Sequence, residues 1–132
     1  MKNYLILFFV FFSFQLVKAQ EINSGVSDKI YNINEVDVKP DFPKGIKFFY
    51  SFIGKNFQPP TIAGLNGKVI VSYVVETDGT LSNLNVIEDM GYGTAEEALR
   101  VFRKCPKWIP GQLQGKLVRV INVLPITIGS FN

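Results

Sequence analysis

The sequence contains no histidine and a single cysteine, and these two absences narrow the chemistry open to the chain. Without histidine there is no His-based catalytic triad, no histidine general base and no histidine metal ligand. One cysteine, Cys105, cannot build a disulfide framework or a thiolate metal cluster. We interpret Cys105 as a small buried apolar residue at a helix end, with an intermolecular disulfide as the alternative. No metal and no cofactor are therefore expected.

Charge is also sparse, because charged residues make up 19% of the 132 residues and hydrophobic residues 47%. This composition is typical of a globular protein and excludes a disordered one, and the length predicts one domain. Part of the net charge of +3 comes from Lys2 and Lys18, since the rest of the chain has 12 basic and 11 acidic residues. No clustered basic face remains, so no nucleic-acid partner is expected.

The first 19 residues have the pattern of a signal peptide. Lys2 provides the positive start, Tyr4 to Val17 is almost wholly apolar, and small residues precede the predicted cleavage site after Ala19. The apolar stretch is shorter than the ~20 residues that cross a bilayer as a helix. We therefore expect an exported protein that is cleaved after Ala19, with an uncleaved N-terminal membrane anchor as the alternative.

The remaining pattern predicts a flexible, polar N-terminal arm over residues 20–40 and one domain over residues 41–132. Within the domain, hydrophobic periodicity predicts two helices and about three strands. The helices are expected at 43–57 and 94–105, and the strands at 68–77, 81–88 and 116–128. This order indicates an α+β fold, a small antiparallel sheet with two helices packed on one face.

Two short motifs mark the ends of these elements. Asp78-Gly79 is the strongest short signal for a hairpin turn. Thr94 and Glu97 have the spacing of a capping box at the start of the second helix.

No acidic cluster has the pattern of an active site. An enzyme would need a pocket that joins Glu88-Asp89 to Tyr92, and nothing in the sequence predicts one. The chain is therefore expected not to be an enzyme and to have no small-molecule substrate.

The last predicted strand is long, apolar and interrupted by Pro125, which cannot donate a hydrogen bond to a sheet and so indicates an edge. An open edge of this kind can take an additional strand from an extended peptide. The alternatives are that the strand is internal to a tight homodimer or is covered by the N-terminal arm.

An ordered set of short motifs between Pro40 and Ile128 resembles the C-terminal domain of TonB, in the form common in Bacteroidetes-type bacteria. The set covers about four fifths of the chain that follows residue 19. Its most specific part is Trp108 with Pro110 and Gly111. The other motifs that carry the resemblance are Phe42-Pro43-Lys44-Gly45, Gly67-Lys68-Val69, Asp78-Gly79, Gly91-Tyr92-Gly93-Thr94, Glu97-Ala98 and Gly115-Lys116.

The resemblance implies a non-enzymatic periplasmic module that binds the TonB-box peptide of TonB-dependent outer-membrane transporters and takes part in energy-dependent transport. In the family that peptide adds to the last strand. The corresponding residues here are Leu117, Val118, Arg119, Val120, Ile121, Asn122, Val123 and Leu124. The matching motif residues with structural roles are Gly67, Asp78, Gly79, Thr94, Glu97, Trp108, Pro110 and Gly111.

A full TonB also has a transmembrane anchor and a long proline-rich spacer, and neither pattern occurs in this sequence. We therefore expect a stand-alone TonB-like domain that competes for TonB boxes, acts as an adaptor, or pairs with itself or another TonB-like protein. The alternative is an envelope interaction or structural module with no role in transport, which binds cell wall or another periplasmic protein.

Overall fold

The structure is a computed structural model that describes residues 28–129, so the predicted signal peptide lies outside the described residues. It confirms the α+β class, with two helices and five strands rather than about three. In chain order the elements are β1 (Ile30–Asn32), α1 (Ile46–Asn56), β2 (Gly67–Val75), β3 (Leu81–Glu88), α2 (Thr94–Arg103), β4 (Gly111–Leu113) and β5 (Lys116–Ile128).

The sheet has the strand order β1-β5-β2-β3, and β4 pairs with the first residues of β5. β2 is a central strand, because it pairs antiparallel with both β3 and β5. Its ladder with β5 is the longest, with nine residue pairs from Gly67↔Ile128 to Val75↔Val120. β1 runs parallel to β5, so the sheet is mixed and not purely antiparallel as predicted.

Both helices contribute to one core on a single face of the sheet. Alternate residues of β2 point into this core, because side chains along a strand alternate between its two faces. An aromatic cluster lies at its centre, where the Trp108 ring centroid is 5.5 Å from Phe49 and 5.3 Å from Tyr73. The buried side chains that complete the core include Phe42, Ile53, Val69, Val71, Val75, Ala98, Val101, Phe102 and Ile126.

The helices are shorter than the apolar pattern predicts. Lys44 and Gly45 have positive φ angles of 67° and 103°, so α1 begins at Ile46 and not at Pro43. The predicted capping box is wrong. Gly93 is the N-cap of α2, and Thr94 is the first helical residue, fully buried, with its hydroxyl donating to Gly91 O at 2.7 Å.

Glu97 has a different role from the predicted one. Its carboxylate pairs with Arg100 and accepts a hydrogen bond from the backbone N–H of Gln58 at 3.0 Å. Arg100 also donates to Asn56 O at 2.7 Å. The Glu97–Arg100 pair therefore ties α2 to the end of α1, a long-range contact that the helical spacing alone does not reveal.

The Asp78-Gly79 turn between β2 and β3 is confirmed, and it is also a packing contact. The carboxylate of Asp78 accepts hydrogen bonds from the hydroxyl and backbone N–H of Thr80, which lower the pKa of Asp78. Gly79 has φ +85° and accepts a hydrogen bond from Trp108 N at 2.8 Å. A Cβ at position 79 would lie 2.1 Å from Trp108 O, so only glycine fits there.

We expect Gly79→Ala to lower the free energy of unfolding by about 3 kcal/mol or more, because the methyl group would force the turn away from Trp108. Gly115→Ala is the matched control, since Gly115 also has positive φ, +75°, but open space around it. It should cost only ~1–2 kcal/mol, the cost of left-handed backbone alone. Urea unfolding measures both values, and equal losses would contradict the packing argument.

Candidate functional site

β5 contains the segment for which the sequence predicts partner binding, Leu117 to Leu124, but this segment is not open along its whole length. β4 pairs with β5 over Lys116–Val118, and β2 pairs with it from Val120 onward. β1 pairs with Arg119, Val120 and Ile121. The prediction of an open edge therefore needs correction at residues 119–121, where the alternative, coverage of the strand by the N-terminal arm, is confirmed.

The backbone of β5 has two sides, and two observations establish which residues face which. Pro125 has no N–H yet lies inside the ladder with β2, so its position faces away from β2. The N–H of Val123 donates to the side-chain oxygen of Asn122 at 2.9 Å. Because backbone groups alternate along a strand, the odd-numbered N–H groups point away from β2, to the side on which β1 lies. We call this row the outer edge of β5; its residues are Leu117, Arg119, Ile121 and Val123.

The even-numbered residues of the predicted segment serve the fold instead. Val118 pairs with β4, while Val120, Asn122 and Leu124 pair with β2. Val120 is fully buried, and the Asn122 side-chain amide donates to the Tyr73 hydroxyl at 3.0 Å. Burial raises the pKa of Tyr73 far above its usual value, so this hydroxyl stays protonated. Only half of the predicted residues are therefore placed to meet a partner backbone.

The side chains at the two ends of the outer edge are accessible. Leu117 is 51% exposed and Val123 is 47% exposed. A cleft of about 500 Å³ lies beside Val123, between β5 and the turn that follows β1. The Val123 N–H is bonded to the Asn122 side chain and Pro125 has no N–H, so the unbroken row of available outward N–H groups ends at Ile121.

A three-way contact centred on Arg119 holds this region together, and we call it the Arg119 clasp. The guanidinium donates from Nε and Nη2 to the two carboxylate oxygens of Glu76, at 2.8 and 2.9 Å. Its Nη1 donates to the backbone carbonyl of Asp28 at 2.8 Å. Arg119 holds the pKa of Glu76 below its usual value of 4.5. The clasp joins segments 43 and 91 residues apart, so no local pattern predicts it.

The opposite edge of the sheet, formed by β3, is a poorer template for another strand. Its ladder with β2 is irregular at two places, between Ile70 and Val71 and between Ser72 and Val74. Asn83 in β3 has a positive φ of 48°. Such irregularities twist a strand and interrupt regular pairing.

Three residues of the sequence motifs, Gly67, Pro110 and Gly111, lie in or beside the strands that pack around β5. Gly111 lies in β4, where a Cβ would meet Val120 Cγ2 at 2.6 Å and Val38 O at 3.1 Å. Gly67 begins β2, where a Cβ would approach the flexible Met90 side chain at 2.9 Å. Pro110 is half-buried beside Gly111. Gly111 therefore lets β4 and the segment at Val38 pack closely against β5.

Residues 28–129 contain no group of three metal-ligating side chains, and no helix there is long and apolar enough to cross a membrane. Cys105 is half-buried, and burial raises the pKa of its thiol to about 11. It therefore stays in the unreactive thiol form at neutral pH.

The Arg119 clasp should make stability depend on pH. Because the folded-state pKa of Glu76 is lowered, its carboxylate stabilises the fold above pH 4.5 and loses that contribution as the pH falls through the folded-state pKa. We expect Glu76→Gln to cost about 1–2 kcal/mol near neutral pH. The difference from the unsubstituted protein should shrink in denaturant unfolding below pH 4.5. A difference that is the same at every pH would contradict this.

Comparison with known proteins identifies the family. Residues 61–127 match the family model described as Gram-negative bacterial TonB protein C-terminal. Among solved structures, the chain is similar to the solution NMR structure of the Pseudomonas aeruginosa TonB C-terminal domain, with 19% identity and a TM-score of 0.41. That match covers 78% of this chain and 98% of the other. No curated protein is significantly similar. Since the family model spans half of the chain, the chain belongs to the TonB C-terminal domain family.

Proposed function

We propose that the chain is a periplasmic, TonB-like, non-enzymatic module that binds TonB-box peptides of TonB-dependent outer-membrane transporters by strand addition to the outer edge of β5. In this proposal residues 1–19 are a cleaved signal peptide, and residues 41–132 form the binding domain. The arm at 20–40 contributes β1, which the structure pairs with the sheet. The module takes part in energy-dependent transport across the outer membrane.

The observation that carries the proposal is the row of four outward backbone positions at Leu117, Arg119, Ile121 and Val123. This row accepts an extended strand in the structure itself, because β1 pairs with its middle. Family membership supports the choice of partner, since TonB C-terminal domains interact with TonB-dependent transporters.

Backbone pairing at this edge gives a contact that forms and breaks readily. A peptide that pairs with four positions makes about four to six hydrogen bonds, each worth ~0.5–1.5 kcal/mol net. Against the cost of ordering the peptide, this leaves a dissociation constant between about 10 µM and 1 mM. The exposed side chains of Leu117 and Val123 supply the apolar contacts that add to it.

Titration of the exported form, residues 20–132, with TonB-box peptides from the same organism should move the NMR amide signals of the outer edge. A peptide strand uses every second N–H, so methylation of single peptide nitrogens should abolish binding only when it falls on every second residue of the peptide. If methylation abolishes binding at every residue, or at no residue, strand addition is contradicted. No signal changes at millimolar peptide would separate this chain from the transport role of its family.

A second test changes the edge and leaves the β2 ladder intact. Leu117→Pro removes an outward N–H within the outer edge, and we expect it to weaken peptide binding by about tenfold, the loss of roughly one hydrogen bond. Thr127→Pro is the matched control, because it removes an outward N–H beyond Pro125. Isothermal titration calorimetry should find unchanged binding for the control. Equal effects of the two substitutions would place the peptide elsewhere.

A further inference from the structure

The N-terminal strand β1 competes for the surface that the proposed partner needs. β1 pairs with β5 at Ile30↔Arg119, Tyr31↔Val120 and Asn32↔Ile121. These contacts use the two middle positions of the outer edge, Arg119 and Ile121. A peptide that spans Leu117 to Val123 cannot pair there while β1 is in place.

β1 is held by few contacts. It is three residues long, Ile30 and Tyr31 are only half-buried, and Asn32 is exposed. In the sheet order it is an outermost strand, with a neighbour on one side only. None of its residues belongs to the buried core cluster. Such a segment opens at a much lower free energy than the central strands do.

The chain that follows β1 is anchored independently of it. Asp37 N and Val38 N both donate to Gln112 O, at 2.9 and 3.0 Å, and Gln112 N donates to Val38 O at 2.9 Å. The Asp37 carboxylate accepts a hydrogen bond from Gln114 N at 2.7 Å. Release of β1 therefore leaves the anchor at Val38 intact, and the turn Asn32–Glu35 becomes part of the hinge.

The Arg119 clasp fixes the position of the chain just before β1 while β1 is paired with β5. Its Nη1 binds the carbonyl of Asp28, just before β1, while Glu76 fixes the rest of the guanidinium. Arg119 is also a residue of the outer edge. A strand that replaces β1 can accept a hydrogen bond from Arg119 Nη1 with its own backbone carbonyl, so exchange leaves no donor of the half-buried guanidinium without a partner.

We propose that β1 is an exchangeable internal strand, which occupies the outer edge of β5 and is displaced when a partner strand binds there. This inference rests on the proposed function for the identity of the partner, but the opening of β1 can be measured without one. The apparent association constant for any partner is then the intrinsic constant multiplied by the fraction of molecules in which β1 is open.

Hydrogen exchange followed by NMR tests the opening in the absence of any peptide. The N–H of Ile121 faces β1, whereas the N–H of Leu124 faces β2. If β1 opens alone, Ile121 should exchange at least about tenfold faster than Leu124, because the two report different opening events. Equal protection of the two amides would mean that β1 leaves only on global unfolding, and it would overturn the inference whatever peptides bind.

Substitution tests the competition. Tyr31→Pro removes a backbone donor from β1, whereas Ile33→Pro, in the following turn, is the matched control because proline suits the second position of such a turn. We expect a synthetic peptide of residues 28–35 to bind the Tyr31→Pro protein about tenfold or more tighter than it binds the control. Its signal changes should be at Arg119 and Ile121. Equal affinities would overturn the inference.

A disulfide that holds β1 on β5 should prevent peptide binding reversibly. In a Cys105→Ala background, Asn32→Cys with Ile121→Cys places two thiols at paired positions of β1 and β5. The oxidised protein should bind neither the 28–35 peptide nor a TonB-box peptide, and reduction should restore binding. Binding that is unaffected by oxidation would overturn the inference. If the 28–35 peptide binds Tyr31→Pro and no TonB-box peptide does, the exchange stands and the proposed function fails.

Discussion

The nine-residue ladder between β2 and β5 determines the rest of the structure. It places alternate residues of β2 against the aromatic cluster around Trp108. It also determines which backbone groups of β5 are used inside the sheet and which remain at the outer edge. A shift of one residue would turn every side chain of β5 to the other face and direct the missing N–H of Pro125 toward β2. Core packing and the candidate binding edge therefore depend on one register.

The Arg119 clasp adds a second connection between distant parts of the chain. Isolated ion pairs on a protein surface stabilise little, because water screens them and two long side chains must be ordered. Here the guanidinium is bidentate to Glu76, and both side chains are about three-quarters shielded, at 22% and 23% exposed. The same group binds the backbone before β1. A single arginine thus connects the β2–β3 turn region, the last strand and the N-terminal segment.

Much of the fold could be predicted from local patterns. The strands over 81–88 and 116–128 have the predicted bounds, and the Asp78-Gly79 turn is where the sequence indicates it. β1 and β4 were not predicted as strands, because three residues are too few to establish an alternating pattern. The capping box failed for a different reason. The left-handed Gly93 takes the N-cap position in place of Thr94, and Thr94 and Glu97 make other hydrogen bonds.

The candidate site was predictable as a strand but not as an edge. The apolar run and Pro125 identify β5, and they correctly indicate that one side of the strand lacks donors at that point. Which N–H groups of β5 remain available depends on the alternating hydrogen bonds of its ladder with β2. Which strand pairs with those groups depends on a segment more than 80 residues away in sequence. Contacts of that separation follow from the folded topology and leave no periodic signal in the chain.

The second half of β5 is protected against self-association. An apolar strand at the side of a sheet normally invites an identical strand from another copy, the first step toward aggregation. Beyond Ile121, however, the Asn122 side chain occupies the Val123 N–H, and Pro125 has none to offer. A second copy would find few donors to pair with over this stretch. Strand β1 gives similar protection to the preceding residues, so the domain keeps a strongly apolar C-terminal strand without presenting a continuous template for its own aggregation.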